Sequence, residues 1–155
     1  MTADFPDANE VRDDRRAIEQ LLYVYAWMVD QRKWELMDSV FAPGATIDYS
    51  STGGRKGPYR PTLEWLDRAL APWPLNLHHI TNVCIETHGD EATSRCYFIA
   101  PMGRKSPDGS LEVITNAGYY IDSLVRTASG WRIRERICHQ TIMIGQLPAG
   151  YTIPD

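Results

Sequence analysis

Cysteine is scarce, at three residues in 155, and Cys84, Cys96 and Cys138 lie far apart with no CxxC pair among them. That spacing argues against a zinc site and favours a reducing cytoplasm. No apolar run approaches the roughly 20 residues that a membrane span needs, and the polar start Met1–Asp14 does not read as a signal peptide. Basic side chains number 16 against 20 acidic ones, and they form no stripe, which excludes nucleic acid as an expected partner. Also missing are the GxSxG elbow, HExxH, GxGxxG and the phosphate loop. No metal and no cofactor is therefore expected. What remains is 43% hydrophobic by count and 23% charged, with five tryptophans. A chain of this length forms one domain, 1–155, and buries roughly 68–70% of its unfolded surface.

Residues 1–9 mix Pro6 with acids and small polar side chains and read as a loose lead-in. From about Asn9 the pattern turns helical: Ile18, Leu21, Leu22, Tyr25, Met28 and Val29 recur at three- and four-residue steps and form one stripe. A second helical run spans Trp34–Phe41, and Ala42-Pro43-Gly44 is expected to stop it. Ala45–Tyr49 reads as a short strand and 50–60 as a flap-like loop. A third helix is expected over Pro61–Leu70. The remaining segments, His78–Glu86, Thr93–Arg104, Leu111–Arg126 and Gly130–Ile144, are β-branched and aromatic, divided by short turn clusters. Strands joined so closely pair antiparallel, and strands this long curve. The expected class is α+β: a cone-shaped, strongly curved antiparallel sheet covered by three N-terminal helices.

Such a cone encloses an apolar pocket for a small molecule. Tyr49 shares strand parity with Ile47 and should point inward. Asp30, at the end of the first helix, falls about 100° from the centre of the apolar stripe, at the margin of the buried face. His78 and His79 are adjacent on a strand, so one faces the interior and the other the outside; parity alone does not choose between them. His139 is a further candidate. Tyr97, Asn116, Tyr120, His139 and Gln140 are expected to line the pocket. Val113, Tyr119, Ile121, Ile133 and Ile137 are expected on the outer face, where a homo-oligomer, trimer or dimer, would cover them. Cys84 and Cys138 are taken as small core residues.

The run Tyr25-Ala-Trp-Met-Val-Asp30-Gln-Arg-Lys-Trp34, then Phe41-Ala-Pro43, Ile47-Asp-Tyr49, His79-Ile-Thr-Asn82 and Gly130-Trp131, resembles the nuclear-transport-factor-2-like superfamily. Within it, the run looks like the SnoaL-like group that contains scytalone dehydratase and bile acid 7α-dehydratase. The resemblance covers roughly residues 10–145. It implies an aspartate–histidine pair with an assisting tyrosine, carried over onto Asp30, His79 and Tyr25 or Tyr49. Other family positions are not kept: Val29 stands where scytalone dehydratase has a tyrosine, and Gln140 near where the bile acid enzyme has an arginine. The resemblance therefore implies a lyase that eliminates water from an apolar, carbonyl-bearing small molecule of polyketide, steroid or aromatic type. An isomerase or cyclase with the same base, and a non-catalytic binding or small-subunit protein, are the alternatives.

Overall fold

The computed structural model describes residues 8–155; of the expected lead-in, residues 1–7 lie outside the described residues, and Ala8 and Asn9 already belong to a helix. Helix α1 (Ala8–Asp30) buries Ile18, Leu22, Tyr25 and Val29, the stripe set by the helical period. The next segment, Trp34–Ser39, is a 3-10 helix that buries only Met37, so two α-helices and a 3-10 segment replace the three expected helices. Strand β1 (Phe41–Asp48) starts earlier than expected and runs straight through Pro43-Gly44. Proline lacks the ladder donor and Gly44 takes a positive φ of 76°, so the pair makes an irregularity in the strand in place of a stop. The presumed loop holds a 3-10 turn (Ser50–Thr52) and the short β2 (Lys56–Pro58), followed at once by α2 (Tyr59–Leu70).

Strands β3 (Leu75–Asn76), β4 (His79–His88), β5 (Glu91–Lys105), β6 (Leu111–Thr127) and β7 (Gly130–Ile144) complete one seven-stranded sheet, ordered β2-β1-β7-β6-β5-β3 with β4 also on β5. Among the described residues, all pairings are antiparallel except β1 on β7. The result is the α+β arrangement with a curved sheet whose concave face carries the helices.

The inward residues stack in layers along β5, β6 and β7. Ala92, Leu124, Trp131 and Ile133 close the narrow end. Above them lie Ser94, Asp122 and Arg136, then Cys96, Tyr120 and Cys138, then Phe98, Gly118 and Gln140, then Ala100 and Asn116, and finally Met102 and Ile114. Ile133, expected outside, is fully buried, because the β6–β7 register shifts between Ser123 and Leu124 and reverses the parity of β7 there. Cys84, expected in the core, is exposed. Val113 and Ile121 are exposed on the outer face as expected, beside Tyr97 and Ile99.

At the narrow end Asp14 of α1 accepts hydrogen bonds from Arg126 Nη1 at 2.7 Å and from Trp131 Nε1 at 3.0 Å, while the Arg126 guanidinium lies 4.6 Å from the Trp131 ring centroid. The Arg126 hydrogen bond, helped by Trp131 and opposed by burial, holds the Asp14 carboxyl below its ordinary pKa. A lowered folded-state pKa means the contribution is complete above about pH 4 and disappears as pH falls through the lowered value. The stability gap between the wild type and Asp14→Asn should therefore be constant above about pH 5 and narrow below pH 4 in thermal melts. A gap that widens on acidification would contradict the ion pair.

Candidate active site

The end of α1 brings Asp30 against the segment that enters β4. Its Oδ1 lies 2.6 Å from His78 Nδ1, and its Oδ2 accepts the His78 backbone N–H at 2.8 Å. One carboxylate thus grips both the ring and the main chain of one residue. Each of the two side chains retains 11% exposure. A carboxylate only accepts, so Nδ1 is a ring nitrogen that carries a proton, and in the neutral imidazole Nε2 then presents a lone pair.

His78 lines a cavity of about 350 Å³ whose walls are mostly apolar, including Trp65, Leu66, Trp73, Phe98, Met102 and Ile114. His79, the histidine expected to face this interior, points the other way: it is exposed, with Nδ1 3.3 Å from the Ile99 carbonyl oxygen. The reason is a bulge. His79–Thr81 pair with Ile99–Tyr97 in regular register, the ladder then breaks between Thr81 and Cys84, and Asn82 takes a φ of 52°. Before the break His78 and Ile80 share the inner face; after it Val83 and Ile85 do, and Ile80, Val83 and Ile85 all pack on the core.

Deeper in the cavity the Tyr25 and Tyr49 hydroxyls hydrogen-bond to each other, and both side chains are buried. The Arg136 guanidinium sits 4.1 Å from the Tyr25 ring centroid and 4.3 Å from that of Tyr120. Asp122 takes Arg136 Nε at 2.7 Å and Nη2 at 2.8 Å, with neither side chain exposed. Burial opposes the guanidinium charge, but the Asp122 carboxylate outweighs it and holds Arg136 well above its ordinary pKa. Burial raises the Tyr25 hydroxyl, though Arg136 pulls against it, and pushes Tyr49 and Tyr120 well up, so all three remain protonated donors. Burial also drives the Cys138 thiol to about 12, which leaves no thiolate nucleophile in the cavity near neutral pH.

Tyr25, Tyr49, Tyr120, Asn116 and Gln140 line the cavity, and Asp30 lies beside it through its bond to His78 and not to His79. Tyr97 and His139 do not line it. Tyr97 is 50% exposed on the outer face, and His139 stacks there on Tyr119 at 4.7 Å. Missed from the sequence were His78 as the inward ring, the Asp122–Arg136 pair, and the closing segment. Leu147, Tyr151 and Ile153 line the cavity beyond β7, and Trp65 Nε1 donates to the Pro154 carbonyl at 2.7 Å. Gly54 lets the turn lie on the Trp65 ring, where a Cβ would stand 2.3 Å from Cη2.

A family of SnoaL-like domains matches residues 10–137. The chain belongs to this SnoaL-like family. Its fold is like that of a nuclear-transport-factor-2-like superfamily protein from Salmonella enterica, with a TM-score of 0.66 at 14% identity, covering 90% of this chain and 96% of the other. An uncharacterised protein of Mycobacterium tuberculosis is 37% identical over 134 residues, which span 84% of this chain and 89% of that one. A crystal structure from Kribbella flavida gives a TM-score of 0.77 at 25% identity, covering 86% of this chain and 95% of the other. A candidate scytalone dehydratase from Novosphingobium aromaticivorans gives 0.72 at 24% identity, covering 94% and 98%. Among the described residues of this SnoaL-like chain, no helix is long and apolar enough to cross a membrane.

Proposed function

We propose that this SnoaL-like protein is a lyase that removes water from an apolar, carbonyl-bearing small molecule by acid–base chemistry alone. The observation that carries the reading is Asp30 holding both N–H groups of His78 at the wall of an apolar cavity. His78 Nε2 takes a proton from the carbon next to the substrate carbonyl, and the electron pair moves onto the carbonyl oxygen. The Tyr25–Tyr49 hydroxyl pair donates to that oxygen, a kind of stabilisation worth about 2.7–4 kcal/mol per donor. The enolate then expels the β-hydroxyl, which leaves as water with the proton returned from the His78 imidazolium. Asp30 stays ionised throughout; it fixes the tautomer and stabilises the imidazolium.

The likeness to the candidate scytalone dehydratase is one of fold, so the reaction rests on the site itself. The three cysteines have no disulfide partners, in keeping with a cytoplasmic setting, and the exposed outer face around Tyr97, Ile99, Val113 and Ile121 is where copies of the chain would associate.

The test is 3-hydroxy-1-tetralone, whose loss of water and tautomerisation give fluorescent 1-naphthol. The protein should form 1-naphthol faster than buffer and, in D2O, exchange the proton next to the carbonyl of 1-tetralone. Failure of both reactions would remove the acid–base reading.

A further inference from the structure

We infer that Asn116 and Gln140 form a second polar subsite, which selects substrates carrying a neutral hydroxyl across the ring from the reacting carbonyl; this deepens, and rests on, the acid–base reading of the cavity.

His79 pairs with Ile99, and the Leu77 N–H bonds the Pro101 carbonyl, so His78 stands level with Ala100. Ala100 in turn pairs with Asn116 on β6. His78 and Asn116 therefore occupy one rung of the concave face, roughly 10 Å apart across two strand spacings. The residue between them on that rung is Ala100, whose side chain is a single methyl. That gap has the width of a ring system.

Gln140 joins the subsite because β7 bulges. Gly118 pairs with Gln140 but Ala117 pairs with Ile142, so one residue, Thr141, is extra. The Ser51 hydroxyl stabilises the strand there, donating to the Cys138 carbonyl at 2.6 Å and accepting the Gln140 N–H at 2.9 Å. Gly118 opposite has no side chain to intrude; a Cβ there would stand 1.9 Å from the His139 carbonyl oxygen. The Gln140 side chain thus reaches Asn116, and its Nε2 donates to Asn116 Oδ1 at 2.8 Å.

One hydrogen bond between two carboxamides leaves one carbonyl oxygen and one NH2 group unspent. This holds whichever way the two amides are turned. Both residues line the cavity, where the surroundings are Met143, Leu147, Ile114 and Met102. An acceptor beside a donor, with no charge on either, matches a hydroxyl group, which both donates and accepts. It does not match a carboxylate or phosphate, which would bring charge into an apolar cavity without a cation to meet it. The Arg136 charge is already taken by Asp122 in a deeper layer.

The test is binding, measured by calorimetry with 1-naphthol and with 1,5-, 1,6- and 1,7-dihydroxynaphthalene. At least one diol should bind about tenfold more tightly than 1-naphthol, the effect of two neutral hydrogen bonds. Asn116→Leu and Gln140→Leu, each checked for an unchanged melting curve, should abolish that gain, read as the ratio of diol affinity to 1-naphthol affinity within the same variant. Ala100→Leu should weaken all four ligands by filling the gap. Diols that bind no better than 1-naphthol, or a gain that survives both Leu variants, would overturn the subsite. His78→Asn separates the two claims. If it leaves proton exchange intact while the Leu variants lose the diol gain, the subsite stands and the acid–base reading falls.

Discussion

Replacing His78 with asparagine should lower turnover of 3-hydroxy-1-tetralone by about 10²-fold or more, with the melting temperature nearly unchanged. Asparagine keeps a side-chain N–H within reach of Asp30 but has no basic nitrogen to replace Nε2, so the loss falls on the chemical step. Asp30→Asn should act in the same direction through another route. A neutral amide no longer stabilises the imidazolium and also permits the wrong tautomer, a change that costs up to about 10⁴-fold where an aspartate braces a catalytic histidine. His79→Ala supplies the contrast. Its ring is exposed outside the cone, so turnover should stay within about twofold of wild type. Single-turnover rates on the three variants decide the matter: a severe loss in the His79 variant with a mild one in His78→Asn would reverse the assignment.

The largest expected effect on stability belongs to Asp122→Asn. This carboxylate is the ion-pair partner of a fully buried guanidinium, and among the described residues Arg136 Nη1 already has no hydrogen-bond partner. Breaking a buried pair from one side leaves an uncompensated charge and costs about 3–5 kcal/mol. For a chain of this size that corresponds to a fall in melting temperature on the order of 10 °C. The double variant Asp122→Leu/Arg136→Met should recover most of the loss, because the apolar replacements remove the desolvation cost with the charges. Denaturant titration of the single and double variants gives the coupling directly. Equal destabilisation of both would show that the ion pair is not what holds this layer together. The double variant also removes the cation from beneath the Tyr25 and Tyr120 rings, so its turnover, measured once it folds, reports how far that charge assists the tyrosine pair.

Much of this arrangement can be read from residue spacing wherever the period is unbroken. The helical period put Tyr25 on the buried stripe and Asp30 at its margin, and alternation put Tyr49 inward; all three are so placed. Strand β5 alternates without a fault from Glu91 to Met102, yet both of its faces carry large apolar residues, Tyr97 and Ile99 on one and Phe98 on the other, so composition gave no contrast to orient it. Bulges near Asn82, between Ser123 and Leu124, and between Ala117 and Gly118 each reverse parity, and the two on β7 account for Ile133 and His139. Parity left the choice between His78 and His79 open and the family resemblance pointed to His79; the bulge near Asn82 is what sets His79 on the face opposite Val83 and Ile85. Asp122 and Arg136 were overlooked because isolated charges in strands pass for a solvated face. Their parity with Tyr120 and Cys138 was the available signal, since every second residue there is buried.

The kink at Asn82 has a bearing on how other chains of this kind are compared. Two histidines in tandem sit just ahead of it, and the backbone alone decides which one serves the cavity. A homologue without the kink would keep its apolar residues buried only by exchanging the duties of the two neighbours. Matching such proteins letter by letter can then pair a working base with a bystander, an off-by-one slip that only the inserted residue reveals.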